Sequence, residues 1–216
     1  MSVTITKIEA QKKRKQRFSL FDGDTFLLGV SFETMSRFQI STGMKISGDQ
    51  LQRIEKAETA FQLREQAFRL LARRSHSRRE LRDKLRQRDY DPGMIEELLD
   101  DLSNRKYLDD RQFAETFIGE ELRMHFSGLA VVRDKLRQKG IDGESIDTLL
   151  EKTYPPAQQL KNCLHLAGKK IKSWPRPLDR NQITRLSTYL RNKGFSWDII
   201  QQAIGGFIEE DLYGGE

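Results

Sequence analysis

"RDKLRQ" at residues 82–87 returns letter for letter at 133–138, and the likeness extends outward. "LRDKLRQRDYDPGMIEELL" (81–99) aligns without a gap on "VRDKLRQKGIDGESIDTLL" (132–150), 51 residues further on. A third copy, "LSTYLRNKGFSWDIIQQAI" (186–204), follows the second at an offset of 54 and keeps its apolar register and its "KG", but not its charges. Self-similarity at a fixed period marks a repeat architecture. In each copy a leucine, Leu85, Leu136 or Leu190, stands four residues before a break held by Asp89, Gly140 or Gly194. Glycine ends a helix readily because it reaches the left-handed conformation without a Cβ penalty. Aspartate enters that region more easily than most residues, so Asp89 is a tolerable departure. An apolar residue follows (Tyr90, Ile141, Phe195), then a helix-capping type (Asp91, Asp142, Ser196), with Pro92 suited to a first helical turn.

The helix that starts there carries Ile95, Leu98 and Leu99 in the first copy, Ile146, Leu149 and Leu150 in the second, and Ile200, Ala203 and Ile204 in the third. This i, i+3, i+4 spacing makes one apolar face. Upstream of each copy lies a further amphipathic stretch: Phe61, Phe68 and Leu71; Phe113, Phe117 and Ile118; Leu160, Leu164, Ala167 and Ile171. Each repeat is therefore three helices. The first 46 residues differ: in "RFSLFDGDTFLLGVSF" a "DG" turn joins two runs, with Phe26, Leu28, Val30 and Phe32 alternating against Thr25, Leu27, Gly29 and Ser31. "QKKRKQR" (11–17) forms a basic edge or arm, and Ser47 with Gln50 fits a capping box ahead of Leu51 and Ile54. The expected fold is mainly α. Three tandem three-helix repeats in an elongated arrangement follow a small antiparallel β segment, with boundaries at 1–46, 47–110, 111–153 and 154–216.

The 216 residues carry a formal charge of +6, which favours anionic partners. No apolar run is long enough for a membrane span or a signal peptide, and the single Cys163 offers no internal disulfide, so a cytoplasmic protein is expected. A monomer is the expected state, although none of these features requires it. The charge is segregated. Residues 64–88 hold ten Arg or Lys against three acids, residues 89–121 hold eleven acids against three bases, and 168–193 are basic again. Solvated helix faces account for many such runs, and packing of Leu81, Leu85, Val132 and Leu136 inward leaves the cations outward. Their recurrence in successive repeats suggests a ladder that meets the phosphate ladder of nucleic acid. The candidate contacts are Arg73, Arg74, Arg78, Arg79, Arg82, Lys84, Arg86, Arg133, Lys135, Arg137, Lys139, Lys169, Lys170 and Lys172.

"YLDDRQFAETF" (107–117), Gly128, "LRQKGID" (136–142) and "RNKGFSWDII" (191–200) resemble the RecX family, bacterial regulators of the recombinase RecA. The likeness covers roughly residues 57–207, and "ITKIEAQKK" and "STGMKI" resemble the opening of longer members. Asp89 and "KSWPRP" depart from the family pattern. The resemblance implies tandem three-helix repeats lying in the groove of the RecA–DNA filament, depressing strand exchange, ATP hydrolysis and coprotease activity. It implies a place in DNA repair, homologous recombination and the SOS response, with RecA and nonspecific single- or double-stranded DNA as partners. Within that reading the acidic stretch with Glu96, Glu97, Asp100, Asp101, Asp109 and Asp110 faces the recombinase, although Asp109 is also placed to cap a helix starting near Arg111, with Gln112 at the capping-box position. The alternative is a helical-repeat protein that binds DNA without filament preference.

Enzyme chemistry finds little footing. "GKK" (168–170) lacks the Ser or Thr of a phosphate-binding loop, and Cys163 stands where its first Gly belongs. His76, His125 and His165 are separated, Cys163 with His165 makes only two metal donors, and His125 continues an apolar helix face as a half-buried residue. Glu96/Asp100 and Glu97/Asp101 are read as a carboxylate face rather than a metal site. Trp174 and Trp197, with Phe68 and Phe117, are expected in the core. No catalytic residue, metal or cofactor is expected.

Overall fold

The helix breaks fall where the repeated leucines place them. In the computed structural model, which describes residues 2–11 and 16–213, Asp89, Gly140 and Gly194 all take positive φ, at 57°, 85° and 91°. The basic stretch at 12–15 lies outside the described residues. The chain divides into two units, Met1–Ser75 with Leu81–Leu102, and His76–Glu80 with Ser103–Glu216.

The first unit begins with two small antiparallel sheets. One pairs β1 (Ser2–Thr4) with β5 (Lys45–Ser47); the other has the order β2 (Lys7–Ala10), β3 (Arg17–Asp22), β4 (Thr25–Ser31). The "DG" turn joins β3 to β4 as expected. The alternation along β4 does not hold, because the register steps from Leu20↔Leu28 to Phe21↔Phe26 and leaves Leu27 as an extra residue. Such a bulge changes which face the following side chains occupy. Phe26 is 56% exposed, packing edge-on against Phe21, while Phe32 is 59% exposed because it opens a short helix, α1 (Phe32–Arg37), rather than continuing the strand. Ile5, Leu20, Val30, Ile40, Ile46 and Ile54 form the core of this region.

Helix α2 (Gly48–Leu71) starts at the expected capping box, with the Ser47 hydroxyl accepting from the Gln50 N–H and the Gln50 side chain accepting from the Ser47 N–H. α3 (Arg78–Arg86) and α4 (Pro92–Asn104) complete the first repeat. Leu63, Ala67, Leu81, Leu85, Ile95, Leu98 and Leu99 are buried in it.

The second unit holds the other two repeats: α5 (Asp110–Glu120), α6 (Leu129–Gln138) and α7 (Gly143–Thr153), then α8 (Pro156–Ile171), α9 (Arg180–Asn192) and α10 (Trp197–Tyr213). Their cores are separate clusters, one of Phe113, Ile118, Val132, Leu136, Ile146 and Tyr154 among others, and one centred on Cys163, Ala167, Leu186, Leu190 and Ile200. Leu136 is completely buried. Leu136→Ala is expected to cost about 2–5 kcal/mol through lost burial and the cavity left behind. Urea denaturation measures it, and a change near zero would contradict this core.

Three expected core residues lie elsewhere. α5 ends in a wide π turn, Glu121–His125, which advances the helical register and turns His125 and Met124 to solvent. Leu164 is 37% exposed on α8, and Trp197, the first residue of α10, is 58% exposed. Trp174 does pack on the third-repeat core, and Phe117 on the second.

Candidate nucleic-acid interface

The repeated hexamer is held by a repeated ion pair. In the first unit the Arg82 guanidinium forks onto Glu96, with Nε donating to Oε1 at 2.6 Å and a terminal nitrogen to Oε2 at 2.8 Å. In the second unit Arg133 Nε donates to Asp147 Oδ1 at 2.9 Å. Arg82 and Arg133 are equivalent by the 51-residue offset, and so are Glu96 and Asp147. The pair links the second helix of a repeat to its third. In the third copy Ser187 and Gln201 stand at these positions and the pair is gone.

Other cations of the expected ladder are also engaged inside the protein. Lys135 Nζ donates to both oxygens of the buried Glu121 at 2.8 and 2.9 Å, and Glu121 also accepts from the Ser127 hydroxyl at 2.9 Å. Lys139 pairs with Glu80. The Arg78 N–H donates to Asp110 Oδ1 at 2.7 Å, and the Arg79 side chain lies over Gly140. The Arg74 side chain donates to the Ser75 carbonyl. Lys170 sits 5.2 Å from the Tyr189 ring centre, and Arg137 lies 4.0 Å from Asp134. The expectation that the hexamer's cations simply stay wet is thus corrected: Arg82, Lys84, Arg133 and Lys135 are half-buried. Among residues 2–11 and 16–208, Arg73, Lys84, Arg86, Lys169 and Lys172 have no carboxylate within ion-pair distance, and all except Lys84 are exposed.

The acidic candidates divide in the same way. Glu96 is committed to Arg82, Glu97 and Asp100 are exposed, and Asp101 is half-buried. Asp109 caps α5, accepting from the N–H groups of Arg111 and Gln112 at 3.0 Å, while Asp110 caps the start of α3 through Arg78. The partners Asp147, Glu121 and Glu80 were missed from sequence. The equal 14-residue spacing of Arg82 to Glu96 and Arg133 to Asp147 was the available signal for the first of them.

The two repeats of the second unit meet backbone to backbone. The Gly128 N–H donates to the Lys193 carbonyl at 2.8 Å and the Ala130 N–H to the Gly194 carbonyl at 3.0 Å. A Cβ on Gly128 would lie 2.3 Å from the Gly194 carbonyl carbon, so both glycines are required by the approach itself. The Tyr154 hydroxyl donates to the Ser127 carbonyl at 2.8 Å and accepts from Asn162 at 3.3 Å; burial, above all, pushes its pKa up to about 12. Burial likewise pushes the Cys163 thiol up to about 12, the behaviour of a packing residue rather than a nucleophile. Phe126, at φ 52°, stacks on His165 with ring centres 4.0 Å apart. No cluster of three or more His, Cys, Asp or Glu fit to hold a metal occurs among the described residues, and none of their helices is long and apolar enough to cross a membrane.

Four family models match in chain order: the Regulatory protein RecX N-terminal domain over residues 3–47, and the first, second and third RecX three-helix domains over 64–102, 109–150 and 157–204. The chain belongs to the RecX family. It is 28% identical to Regulatory protein RecX of Oceanobacillus iheyensis over 205 residues, 93% of this chain and 75% of that one. It is 27% identical to Regulatory protein RecX of Clostridium botulinum over 211 residues, covering 97% and 98% of the two chains. A crystal structure of regulatory protein RecX superposes with a TM-score of 0.73, covering 95% of this chain and 100% of that one at 23% identity, which shows a common fold. The three RecX helical domains correspond to the three tandem repeats read from the hexamer, and the RecX N-terminal domain to the small sheets. A regulatory role comes with the family.

Proposed function

We propose that this RecX-family chain regulates the RecA recombinase, mainly by inhibition, through binding in the groove of the RecA–DNA filament in the cytoplasm. It acts as a monomer and as a regulator rather than a catalyst. The presence of all four RecX domains in one chain carries the reading. Its chemistry is consistent with a nucleoprotein target: Arg73, Arg86, Lys169 and Lys172 are exposed cations without intramolecular carboxylate partners among residues 2–11 and 16–208, suited to phosphate contacts that position without reading sequence. Arg82, Arg133, Lys135 and Lys139 serve the fold first, and the exposed Glu97 is the acid offered to the recombinase.

The test is ATP hydrolysis by RecA on single-stranded DNA with and without the protein, beside direct DNA binding across a salt series. Inhibition is expected, together with weak, sequence-independent DNA binding whose log affinity falls with log salt by about 0.7–0.9 per phosphate neutralised. Lys169→Glu with Lys172→Glu is expected to flatten that slope. An unchanged slope would remove both lysines from the contact surface, and inhibition falling in strict proportion to DNA affinity across such variants would favour plain competition for DNA over filament binding.

A further inference from the structure

The three repeats open on helices of unlike charge. α2 carries Asp49, Glu55, Glu58 and Glu65 and α5 carries Asp110, Glu115 and Glu120, whereas α8, "PAQQLKNCLHLAGKKI" over 156–171, holds no acid at all. At about 3.6 residues per turn, Lys161, Leu164, His165, Gly168 and Lys172 fall on one outward face of α8, with Lys169 at its edge. All but the half-buried Gly168 are exposed. Among residues 2–11 and 16–208, none of Lys161, His165, Lys169 and Lys172 has a carboxylate within ion-pair distance.

An aromatic pair is set into that face. Phe126, left-handed at the end of the π turn, reaches α8 and stacks on His165, with ring centres 4.0 Å apart and planes inclined by 22°. Phe126 is half-buried against the third-repeat core and His165 is exposed, so one side of the imidazole is backed by protein and the rest of the ring meets solvent. Side chains on a helix lean towards its N-terminus, so a side chain at position 168 would cover the surface at 164–165. Gly168 leaves that surface bare, although glycine inside a helix is destabilising relative to alanine. A Cβ there would meet only Phe207, at an ordinary 3.9 Å, so internal packing does not require the glycine.

We infer that the outward face of α8 binds single-stranded nucleic acid, with one nucleobase stacked on the open side of His165 and the flanking phosphates on Lys161 and Lys169. The two lysines stand about one helical turn to either side of the ring, about 6 Å along the axis. Cations that track the backbone around an aromatic platform hold a single strand without reading its sequence. The exposed Leu164 extends the platform with apolar surface. A duplex presents its phosphates but keeps its base faces inside the stack, so the histidine distinguishes one strand from two. The inference rests on the nucleoprotein target of the proposed function and adds to it a choice of strand.

Fluorescence anisotropy with a thymidine oligonucleotide, with the same strand carrying abasic sites and with a duplex of equal length separates stacking from phosphate contact. His165→Ala is expected to weaken binding of the thymidine strand about tenfold, the scale of one lost base–aromatic stack, and to leave the abasic strand and the duplex unchanged. His165→Tyr keeps a ring and is expected to keep the affinity. Gly168→Leu covers the platform without altering the ring and introduces a better helix former, so it is expected to match His165→Ala while circular dichroism stays that of the wild type. Undiminished thymidine-strand binding by His165→Ala and Gly168→Leu would overturn the inference. So would equal losses on all three probes, which would leave phosphate contacts alone, or a wild type that does not bind the thymidine strand. RecA ATP hydrolysis is measured separately. A protein that fails to inhibit RecA, yet loses the thymidine strand with His165→Ala, removes the proposed function and supports this site; one that inhibits while both variants bind the strand normally keeps the function and removes the site.

Discussion

Glu58→Ala is expected to destabilise the first unit by about 3–5 kcal/mol, the loss typical of breaking a buried ion pair from one side. The Glu58 carboxylate, 2% exposed, accepts from the Ser31 N–H at 2.8 Å, the Thr34 hydroxyl at 2.8 Å and the Gln62 amide at 3.0 Å, and pairs with Arg17 at 3.0 Å. It thereby fastens β3, the β4–α1 corner and α2 to one another. Truncation leaves a half-buried guanidinium and a buried N–H and hydroxyl without their acceptor. Hydrogen exchange read peptide by peptide should show protection falling across residues 17–37 and 48–63 and holding in residues 109–204. Joint replacement, Arg17→Met with Glu58→Leu, should restore much of the loss, since apolar groups can substitute for a buried pair. Unchanged protection in Glu58→Ala would deny the carboxylate this role.

The second large effect belongs to Gly194. Alanine there must hold φ near +91° and place its Cβ 2.5 Å from the Val131 backbone nitrogen, an atom that cannot swing aside. A left-handed conformation costs a non-glycine residue roughly 1–2 kcal/mol, and overpacking adds about 1–3 kcal/mol, so Gly194→Ala is expected to lose about 2–5 kcal/mol in thermal or urea unfolding of the second unit. Gly23→Ala separates the two causes. Gly23 has φ +58°, and a methyl group there would meet nothing within 4 Å, so only the conformational part applies. Equal losses at the two sites would mean that the close approach contributes nothing.

The contrast between these glycines bears on what a sequence discloses. The breaks at Asp89, Gly140 and Gly194 were legible because helix termination is local, and positive φ at all three follows from it. The apolar faces were legible for the same reason: Ile95, Ile146 and Ile200 recur at fixed spacing and all are buried. That Gly194 is also a contact surface for Val131 was not legible, because the same letter serves both purposes. The cations failed in a similar way. Arginine at position 82 looks solvent-bound on its own helix, and its acceptor lies 14 residues on, on a helix whose facing depends on tertiary packing. The π turn after Glu120 was invisible, since nothing in "ELRMH" departs from ordinary helical composition, yet it turns His125 outward.

Asp110 gives the chain an order in time. Its carboxylate accepts the Arg78 N–H, a donor at the start of α3 made 32 residues earlier in the sequence. The Ser77 hydroxyl caps the same turn locally by accepting from the Glu80 N–H at 3.1 Å, so α3 can start on its own as the polypeptide leaves the ribosome. The Arg78 N–H gains its acceptor only once the second repeat has begun to emerge, which ties the last cap of one repeat to synthesis of the next.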